Sequence, residues 1–192
     1  IRLGDIYVSL GDYTTSSLYL NNAITAGYKN KSEIERRLAY NYAALGDHVG
    51  MLKVLAYLIQ ETDVTIDDYS VAISLALREW ENIRAYVWAY AGIAKFKNSP
   101  ILIPLYLSAL RLNDKSSELI NYVGTLTGET QKNPLIQLEY GIALYGQGNI
   151  DQALAVFSSI QNGDPTLDWV IEAGNYIHSI EAQKNQSGSV QP

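Results

Sequence analysis

The residue types that most often carry out chemistry are sparse in this sequence. There is no cysteine, so thiolate metal sites, disulfides and cysteine nucleophiles are excluded. The two histidines, His48 and His178, are far apart along the chain, whereas a zinc site needs three or four ligands at suitable spacing. The adjacent carboxylates Asp67 and Asp68 could act as an acid and a base, but no apolar pocket is implied that would separate their pKa values. We therefore expect a protein that is not an enzyme and that holds no metal and no cofactor.

The overall charge and hydropathy exclude two further classes of function. The 192-residue chain carries a net charge of -6 and has an isoelectric point of about 4.9. Phosphate binding requires clustered lysine and arginine, so we expect no nucleic-acid partner. Apolar residues make up 47% of the chain, which is enough for a sizeable core. No apolar run approaches the roughly 18 residues that span a bilayer, so direct membrane insertion by this segment is not expected.

Helices, and not strands, are predicted along almost the whole chain. Apolar residues recur at three- and four-residue spacing, as amphipathic helices require. Ser99-Pro100, Asn133-Pro134 and Asp164-Pro165 each place a capping residue before a proline, which predicts a helix that starts at the proline. The segment "SEIE" at Ser32–Glu35 has the pattern of a capping box.

The turns between these helices recur at a fixed interval. Gly11 and Gly46, each in a Leu-Gly-Asp turn, are 35 residues apart, and Gly148 follows Gly46 by three times 34 residues. Aligned at this period, the units share a small or apolar column in the first helix at Gly4, Ala39, Ile73, Leu107 and Gly141, and another in the second helix at Leu20, Leu55, Ala89, Val123 and Phe157. A period of about 34 residues with two helices per unit indicates a helical repeat protein.

The repeat pattern resembles that of the tetratricopeptide repeat (TPR) family. Residues 134–165 carry the marks Tyr140-Gly141, Ala153, Phe157 and Pro165, and residues 3–28 and 34–60 carry fewer of them. Residues 66–97 and 100–126 share only the period and the apolar pattern, with Trp80 and Asp114 at the positions of the turn glycine. The resemblance implies an all-α fold, a right-handed α-α superhelix of about five helix pairs with a C-terminal helix.

The corresponding domain organisation is one helical repeat domain over residues 1–184, followed by a flexible tail at 185–192. The first unit lacks most of its first helix, so we expect further repeats upstream. The predicted boundaries are about 1–30, 31–65, 66–99, 100–133 and 134–165 for the five units and 166–184 for the terminal helix.

The resemblance also implies a function, because the first helices in this family line a concave groove that holds a protein or peptide partner. We therefore expect a non-enzymatic scaffold for protein–protein interaction, within a larger multi-repeat protein or assembly. The groove positions that we single out for partner binding are Arg36, Arg37, Tyr40, Ser74, Arg78, Arg111, Leu138, Ile142 and Tyr145.

One group of these positions is basic and aromatic. Arg36, Arg37 and Tyr40 could hold a carboxylate or an acidic peptide through bidentate contacts. The alternative is a solvated helix face on which the arginines pair with neighbouring carboxylates such as Glu33 and Glu35.

The other group is apolar and lies near the C-terminal end. Leu135, Leu138, Ile142 and Tyr145 follow one face of a helix, which is either covered by the terminal helix or exposed as an interface. An exposed face supports a second function, structural self-association, and predicts a concentration-dependent dimer buried through Leu135, Leu138 and Trp169. The low lysine content and the polar, tyrosine-rich composition favour a bacterial envelope protein, with the cytoplasm as the alternative.

Overall fold

The structure is a computed structural model that describes residues 1–188, with side chains up to residue 185, and this part of the chain is helical without a strand. The helices are α1 (Arg2–Ser9), α2 (Tyr13–Thr25), α3 (Lys31–Ala44), α4 (His48–Leu58), α5 (Ile66–Arg78), α6 (Asn82–Lys95), α7 (Leu102–Arg111), α8 (Ser116–Thr125), α9 (Gly128–Gln131), α10 (Pro134–Gly146), α11 (Ile150–Ile160) and α12 (Asp168–Gly188). The fold class is therefore all-α, as predicted. The flexible tail predicted for residues 185–192 falls largely outside the described residues.

The chain divides into two compact units, Ile1–Leu102 and Ile103–Pro192. The first unit contains the helix pairs α1/α2, α3/α4 and α5/α6. The second contains most of α7, the pair α10/α11, the single-turn helix α9, and α8 and α12. The sequence-based assignment of one continuous repeat domain stays a prediction.

Every helix pair is joined by the same turn. Its central residue has a left-handed backbone conformation, which ends the first helix and allows the second to start. These residues are Gly11, Gly46, Trp80, Asp114 and Gly148, with φ values of 76°, 68°, 61°, 58° and 78°. In each turn the amide that follows this residue donates to a carbonyl in the last turn of the first helix: Asp12 to Tyr7, Asp47 to Tyr42, Glu81 to Ala76, Lys115 to Leu110 and Asn149 to Leu144, all at 2.9–3.0 Å.

The same turn therefore also forms in the two helix pairs that have no glycine at its central position. Trp80 and Asp114 adopt the conformation that glycine reaches without steric penalty. The repeat period predicted through the two middle pairs is confirmed by backbone geometry, although their sequences carry few of the family's marks.

The predicted helix starts are only partly correct. Pro134 is the first residue of α10, and the Asn133 side chain accepts a hydrogen bond from the Leu135 amide. Pro100 and Pro165, in contrast, lie in turns that precede α7 and α12. Their helices begin at Leu102 and Asp168, so a helix start at the proline itself is wrong in both cases, but the predicted cap at Ser99 is present, since its hydroxyl accepts a hydrogen bond from the Leu102 amide at 3.3 Å.

The predicted capping box at Ser32–Glu35 is wrong as well. The N-cap of α3 is Asn30, whose side chain accepts from the Glu33 amide, and Ser32 lies inside the helix. A capping box does exist at the start of α5, between Thr65 and Asp68. A side-chain oxygen two residues earlier than expected therefore caps the start of α3.

In the first unit, small residues let the helices of a pair approach closely. Gly4 on α1 is buried against Leu20 on α2, and a Cβ placed on Gly4 would lie 3.1 Å from Cδ2 of Leu20. The residues at the corresponding positions of the next two helix pairs are also buried. They are Ala39 and Leu55 in the second pair and Ile73 and Ala89 in the third. The small and apolar columns read from the sequence are therefore the packing seams of the helix pairs.

In the second unit, Gly141 and Phe157 form the tightest of these contacts. Phe157 on α11 is fully buried, and a Cβ placed on Gly141 of α10 would lie 2.6 Å from its Cε1 atom. The Phe157 ring also stacks on Tyr176 of α12, with centroids 4.9 Å apart and an interplanar angle of 11°. Helix α12 also contributes the buried residues Val170, Ala173 and Ile180 to this core.

We expect the substitution Gly141→Ala to destabilise the protein by about 1–3 kcal/mol, because the added methyl group overpacks the Phe157 ring. The control is Gly146→Ala in the same helix, where an added Cβ meets no atom within 4 Å. This control variant should be as stable as the wild type or slightly more stable, since alanine favours the helix over glycine. Urea denaturation followed by circular dichroism measures both free energies of unfolding, and equal stability of the two variants would contradict the packing argument.

Candidate functional site

The first helices of the first unit form a surface with two depressions, which we call the α1–α3–α5 face. The depressions have volumes of 280 and 300 Å³ and share Arg36 and Tyr40 as their common wall. The first is lined by Asp5, Val8, Ser16, Leu20, Arg36, Arg37, Tyr40 and Asn41, and the second by Arg36, Ala39, Tyr40, Ala43, Met51, Leu55, Leu58, Asp67, Asp68 and Val71. The structure thus brings the predicted positions Arg36, Arg37 and Tyr40 together.

Tyr40 is the most prominent side chain on this face. It is 58% exposed and is held by an edge-on contact with Tyr13 of α2, with ring centroids 6.1 Å apart and an interplanar angle of 70°. Val71 of α5 is also exposed and lines the second depression. A tyrosine between two partly apolar depressions offers a large contact area at a small cost in side-chain entropy.

Arg36 is engaged by the protein itself. Its Nε and Nη2 atoms donate to the Asp68 carboxylate in a bidentate pair, at 3.0 and 2.8 Å, and Nη2 also donates to the Asp63 carbonyl at 3.0 Å. Asp68 accepts from the Thr65 amide at the start of α5 as well. The ion pair therefore ties α3 to the N-terminus of α5.

The surroundings of Asp68 determine its protonation. Burial acts to raise the pKa of Asp68, but hydrogen bonds from Arg36 and Thr65 outweigh burial, so the pKa lies below its ordinary value. The same pair raises the pKa of Arg36, through the hydrogen bond from its guanidinium to Asp68. Asp68 is therefore a carboxylate and Arg36 a cation at neutral pH.

Arg37 is also paired. Its Nη1 atom contacts Asp5 of α1, and its Nη2 atom donates to Glu33 at 2.9 Å, one helical turn earlier. Both guanidinium groups that the sequence suggested for an acidic peptide are thus occupied by carboxylates of this chain. The alternative interpretation, pairing with neighbouring carboxylates, describes Glu33 correctly, whereas Asp5 and Asp68 come from the adjacent first helices.

The predicted positions of α5 lie further along the same unit. Ser74 and Arg78 are exposed, and neither lines one of the two depressions. Arg78 lies 3.4 Å from the Glu79 carboxylate, which also lies 2.7 Å from Nδ1 of His48. In the described part of the chain, the exposed carboxylate Asp67 forms no ion pair.

In the second unit, Arg111 repeats the arrangement of Arg36. Its Nε atom on α7 lies 2.6 Å from the Glu139 carboxylate on α10, and the Ser108 hydroxyl donates to the same carboxylate at 2.5 Å. Burial acts to lower the pKa of Arg111, but the hydrogen bond and negative charge of Glu139 raise it above its ordinary value. Here too an arginine of one first helix binds a carboxylate of the next.

Helix α12 covers most of the apolar group at the C-terminal end. Leu138 is only 6% exposed and belongs to the core of the second unit, with Ile142 and Tyr145 packed against it. The Tyr145 ring meets Tyr176 at 5.6 Å, and its hydroxyl accepts a hydrogen bond from Gln183 at 2.7 Å. Of this group Leu135 remains exposed, so the covered alternative describes the structure better than an open apolar face.

Sequence reasoning did not predict that the three arginines pair with Asp68, Asp5 and Glu139. A signal exists for two of these pairs, since Arg36 precedes Asp68 by 32 residues and Arg37 follows Asp5 by 32 residues. Positions nearly one repeat apart face each other on consecutive first helices.

No group of three or more histidine, cysteine or acidic residues in the described chain is arranged to hold a metal ion. None of the helices in this part of the chain has the length and apolar character needed to cross a membrane.

Comparisons with known proteins agree with this fold. The structure is similar to the C-terminal part of a TPR repeat-containing protein from Cytophaga hutchinsonii, with a TM-score of 0.66 and 15% identity over 97% of this chain and 72% of that one. It is similar to a thermophilic TPR protein of Thermus thermophilus, with a TM-score of 0.59 and 16% identity over 92% and 96% of the two chains. It is also similar to the TPR domain of P58(IPK), with a TM-score of 0.52 and 13% identity over 96% and 55%.

The comparisons of sequence found nothing: no family model and no curated protein matches this chain. At identities of 13–16%, the structural similarity establishes the fold alone. The TPR-like helical repeat predicted from the sequence is confirmed at that level.

We expect Asp68→Asn to lower the free energy of unfolding by about 2 kcal/mol at pH 7, because the guanidinium of Arg36 loses a charged hydrogen-bond partner. The control is Asp67→Asn, which changes an exposed neighbour without an ion pair in the described chain. Urea denaturation measures both variants, and the control should stay close to the wild type.

The same ion pair predicts a dependence on pH. Because the pKa of Asp68 is lower in the folded protein than its unfolded value of about 3.9, its contribution is present above that value and is lost as the pH falls through the folded pKa. Between pH 7 and strong acid the wild type should therefore lose more stability than Asp68→Asn. Parallel pH profiles for the two proteins would contradict this assignment.

Proposed function

We propose that this protein is a non-enzymatic interaction scaffold whose α1–α3–α5 face holds a segment of a partner protein. The observation that carries the proposal is the pair of depressions on either side of the exposed Tyr40. A helical repeat fold of this kind exposes the same face of consecutive first helices, and a continuous surface of this type suits an extended segment. The residues proposed for contact are Val8, Tyr40, Asp67 and Val71.

The charges on this face indicate which kind of partner segment it could bind. Arg36 and Arg37 are paired within the protein, so an incoming carboxylate would have to displace Asp68 or Asp5. Asp67 is the exposed charge at the edge of the second depression that lacks such a pairing in the described chain. We therefore expect a partner segment with an apolar or aromatic anchor beside Tyr40 and a basic residue near Asp67, and not an acidic peptide.

The second candidate, self-association through the C-terminal end, has weaker support. It depended on Leu135, Leu138 and Trp169 forming an open apolar surface. Leu138 is buried beneath α12 and Trp169 is partly buried, which leaves Leu135 exposed. A single exposed leucine of this kind is ordinary on a protein surface.

The proposal is tested by selecting binders from a random peptide library displayed on phage, with the whole chain as the target. The selected peptides should share an apolar or aromatic residue close to a lysine or arginine. Tyr40→Ala should weaken their affinity at least about tenfold, because buried tyrosine anchors carry much of the energy of such interfaces. Fluorescence polarisation of labelled peptides measures this loss.

The matched control is Tyr57→Ala, which removes a tyrosine of nearly equal exposure, 56% against 58%, from α4 outside the α1–α3–α5 face. The control should bind the selected peptides like the wild type. Selection of acidic peptides, or equal binding to the Tyr40 variant, would refute the proposed site.

A further inference from the structure

Helix α6 exposes four apolar residues on one side, which we call the α6 row. Its members are Ile83, Val87, Tyr90 and Ala94, and the first three are 76%, 54% and 56% exposed. At 3.6 residues per turn, the row lies opposite the side of the helix that is buried in the first unit. The buried residues of α6 are Ala85, Trp88, Ala89 and Gly92.

Helix α6 is therefore apolar on both sides, unlike an ordinary surface helix. A surface helix carries polar or charged residues opposite its core side, whereas a helix that is apolar all round is usually buried. Two other second helices, α2 and α11, follow the ordinary pattern, because most of their exposed positions are polar. These positions are Thr14, Leu18, Asn21, Asn22 and Thr25 on α2 and Asp151, Gln152, Ala155, Ser158 and Ser159 on α11.

The spacing of the α6 row matches the seam of a coiled coil. Its members are four, three and four residues apart, as are successive d, a, d and a positions of a heptad repeat. From the first member to the last the row extends over about three helical turns, or roughly 17 Å. A second helix with the same spacing can therefore pack along it, with side chains of each helix between those of the other. The positions that flank the row are Arg84, Tyr86, Ala91 and Ile93, which include one charge.

We propose that the α6 row is the contact surface of a homodimer, in which α6 of a second copy packs antiparallel to it. With the two-fold axis between Val87 and Tyr90, Val87 faces Tyr90 of the second copy, and Ile83 faces Ala94. Each layer then sets a larger side chain against a smaller one, which fills the space between the helices without overlap. The row is thus complementary to itself, as a two-fold dimer requires.

The charges at the C-terminal end of α6 disfavour the parallel arrangement. Lys95 is the last residue of the helix, and Lys97 follows two residues later. In a parallel dimer these lysines of the two copies would lie side by side and repel each other. An antiparallel dimer places them at opposite ends of the contact.

The charges at the N-terminal end of α6 are balanced. Arg78 lies 3.4 Å from Glu79, and Arg84 lies 3.9 Å from Glu81. In the antiparallel arrangement this end meets the lysines of the second copy, so two carboxylates lie near them and no uncompensated positive charge does. The charges therefore favour the same direction as the packing of large against small side chains.

The proposal is tested by sedimentation equilibrium of the whole chain from micromolar to millimolar concentration. A contact of three helical turns is smaller than a standard interface of roughly 800 Å² per partner, so we expect a weak, reversible monomer–dimer equilibrium. Val87→Glu should weaken dimerisation at least about tenfold, because it buries a charge in the apolar seam. The variant should fold normally, since Val87 is exposed in the monomer.

The matched control is Leu18→Glu, which places the same charge at an aliphatic position of similar exposure, 59% against 54%, on α2. This variant should dimerise like the wild type. A wild type that stays monomeric at millimolar concentration would overturn the proposal, and so would equal dimerisation of Val87→Glu and the wild type.

Cysteine cross-linking tests the direction of the two helices. The chain has no cysteine of its own, so a disulfide can form only between introduced residues. The double variant Ile83→Cys/Ala94→Cys should form covalent dimers on mild oxidation, whereas each single variant should not. The two positions are too far apart along one helix for a disulfide within a single copy. Cross-linking of Ile83→Cys alone as efficiently as the double variant would indicate a parallel pair and overturn the proposed arrangement.

The dimer and the proposed peptide site can fail separately. No residue of α6 lines either depression of the α1–α3–α5 face, so Val87→Glu should bind the selected peptides like the wild type. Tyr40→Ala should dimerise like the wild type for the same reason. Loss of dimerisation in Tyr40→Ala would place the contact on the wrong face and overturn the inference.

Discussion

The close fit of a side chain on one helix against the facing residue of its partner helix is the contact on which the helix pairs depend. Gly141 beneath Phe157 and Gly4 beneath Leu20 are its clearest examples, and in both there is little room for even a methyl group. Because the helices approach this closely, rotation of a first helix about its own axis would break the seam. The side chains on the exposed side of α3, among them Tyr40, are therefore held in a defined direction.

Charge pairing between consecutive first helices adds a second kind of order. Arg37 reaches back to Asp5 and Arg36 reaches forward to Asp68, so α3 is connected to both of its neighbours in the first unit. Such partly buried pairs contribute modestly to stability, since desolvation offsets much of the attraction. Their geometric effect is larger, because a bidentate guanidinium–carboxylate pair defines both distance and angle. On the α1–α3–α5 face they leave the aromatic Tyr40 and the apolar Val71 exposed.

Much of the fold could be predicted from the sequence, because helix periodicity and the 34-residue spacing are local or simply repeated signals. The turns at Trp80 and Asp114 followed from the spacing alone, without the expected glycine.

The candidate site was harder to predict than the fold. The sequence left open whether Arg36 and Arg37 bind a partner's carboxylate or pair with neighbouring carboxylates, because a single sequence does not show which residues of adjacent repeats face each other. The sequence also did not decide whether Leu138 is exposed or buried, because its coverage by α12 is a tertiary contact.

The conformation of Trp80 also gives the protein built-in spectroscopic probes. The turn places this indole in solvent, 78% exposed, while Trp88 of the next helix is buried in the same unit beneath the guanidinium of Arg84. The third tryptophan, Trp169, lies on α12 in the other unit. The native fluorescence is thus a sum of a red-shifted, readily quenched emitter and a protected one in the first unit, with a separate reporter in the second. Quenching by iodide should therefore act on Trp80 before Trp88, which allows the turn at Trp80 to be followed without attaching a dye.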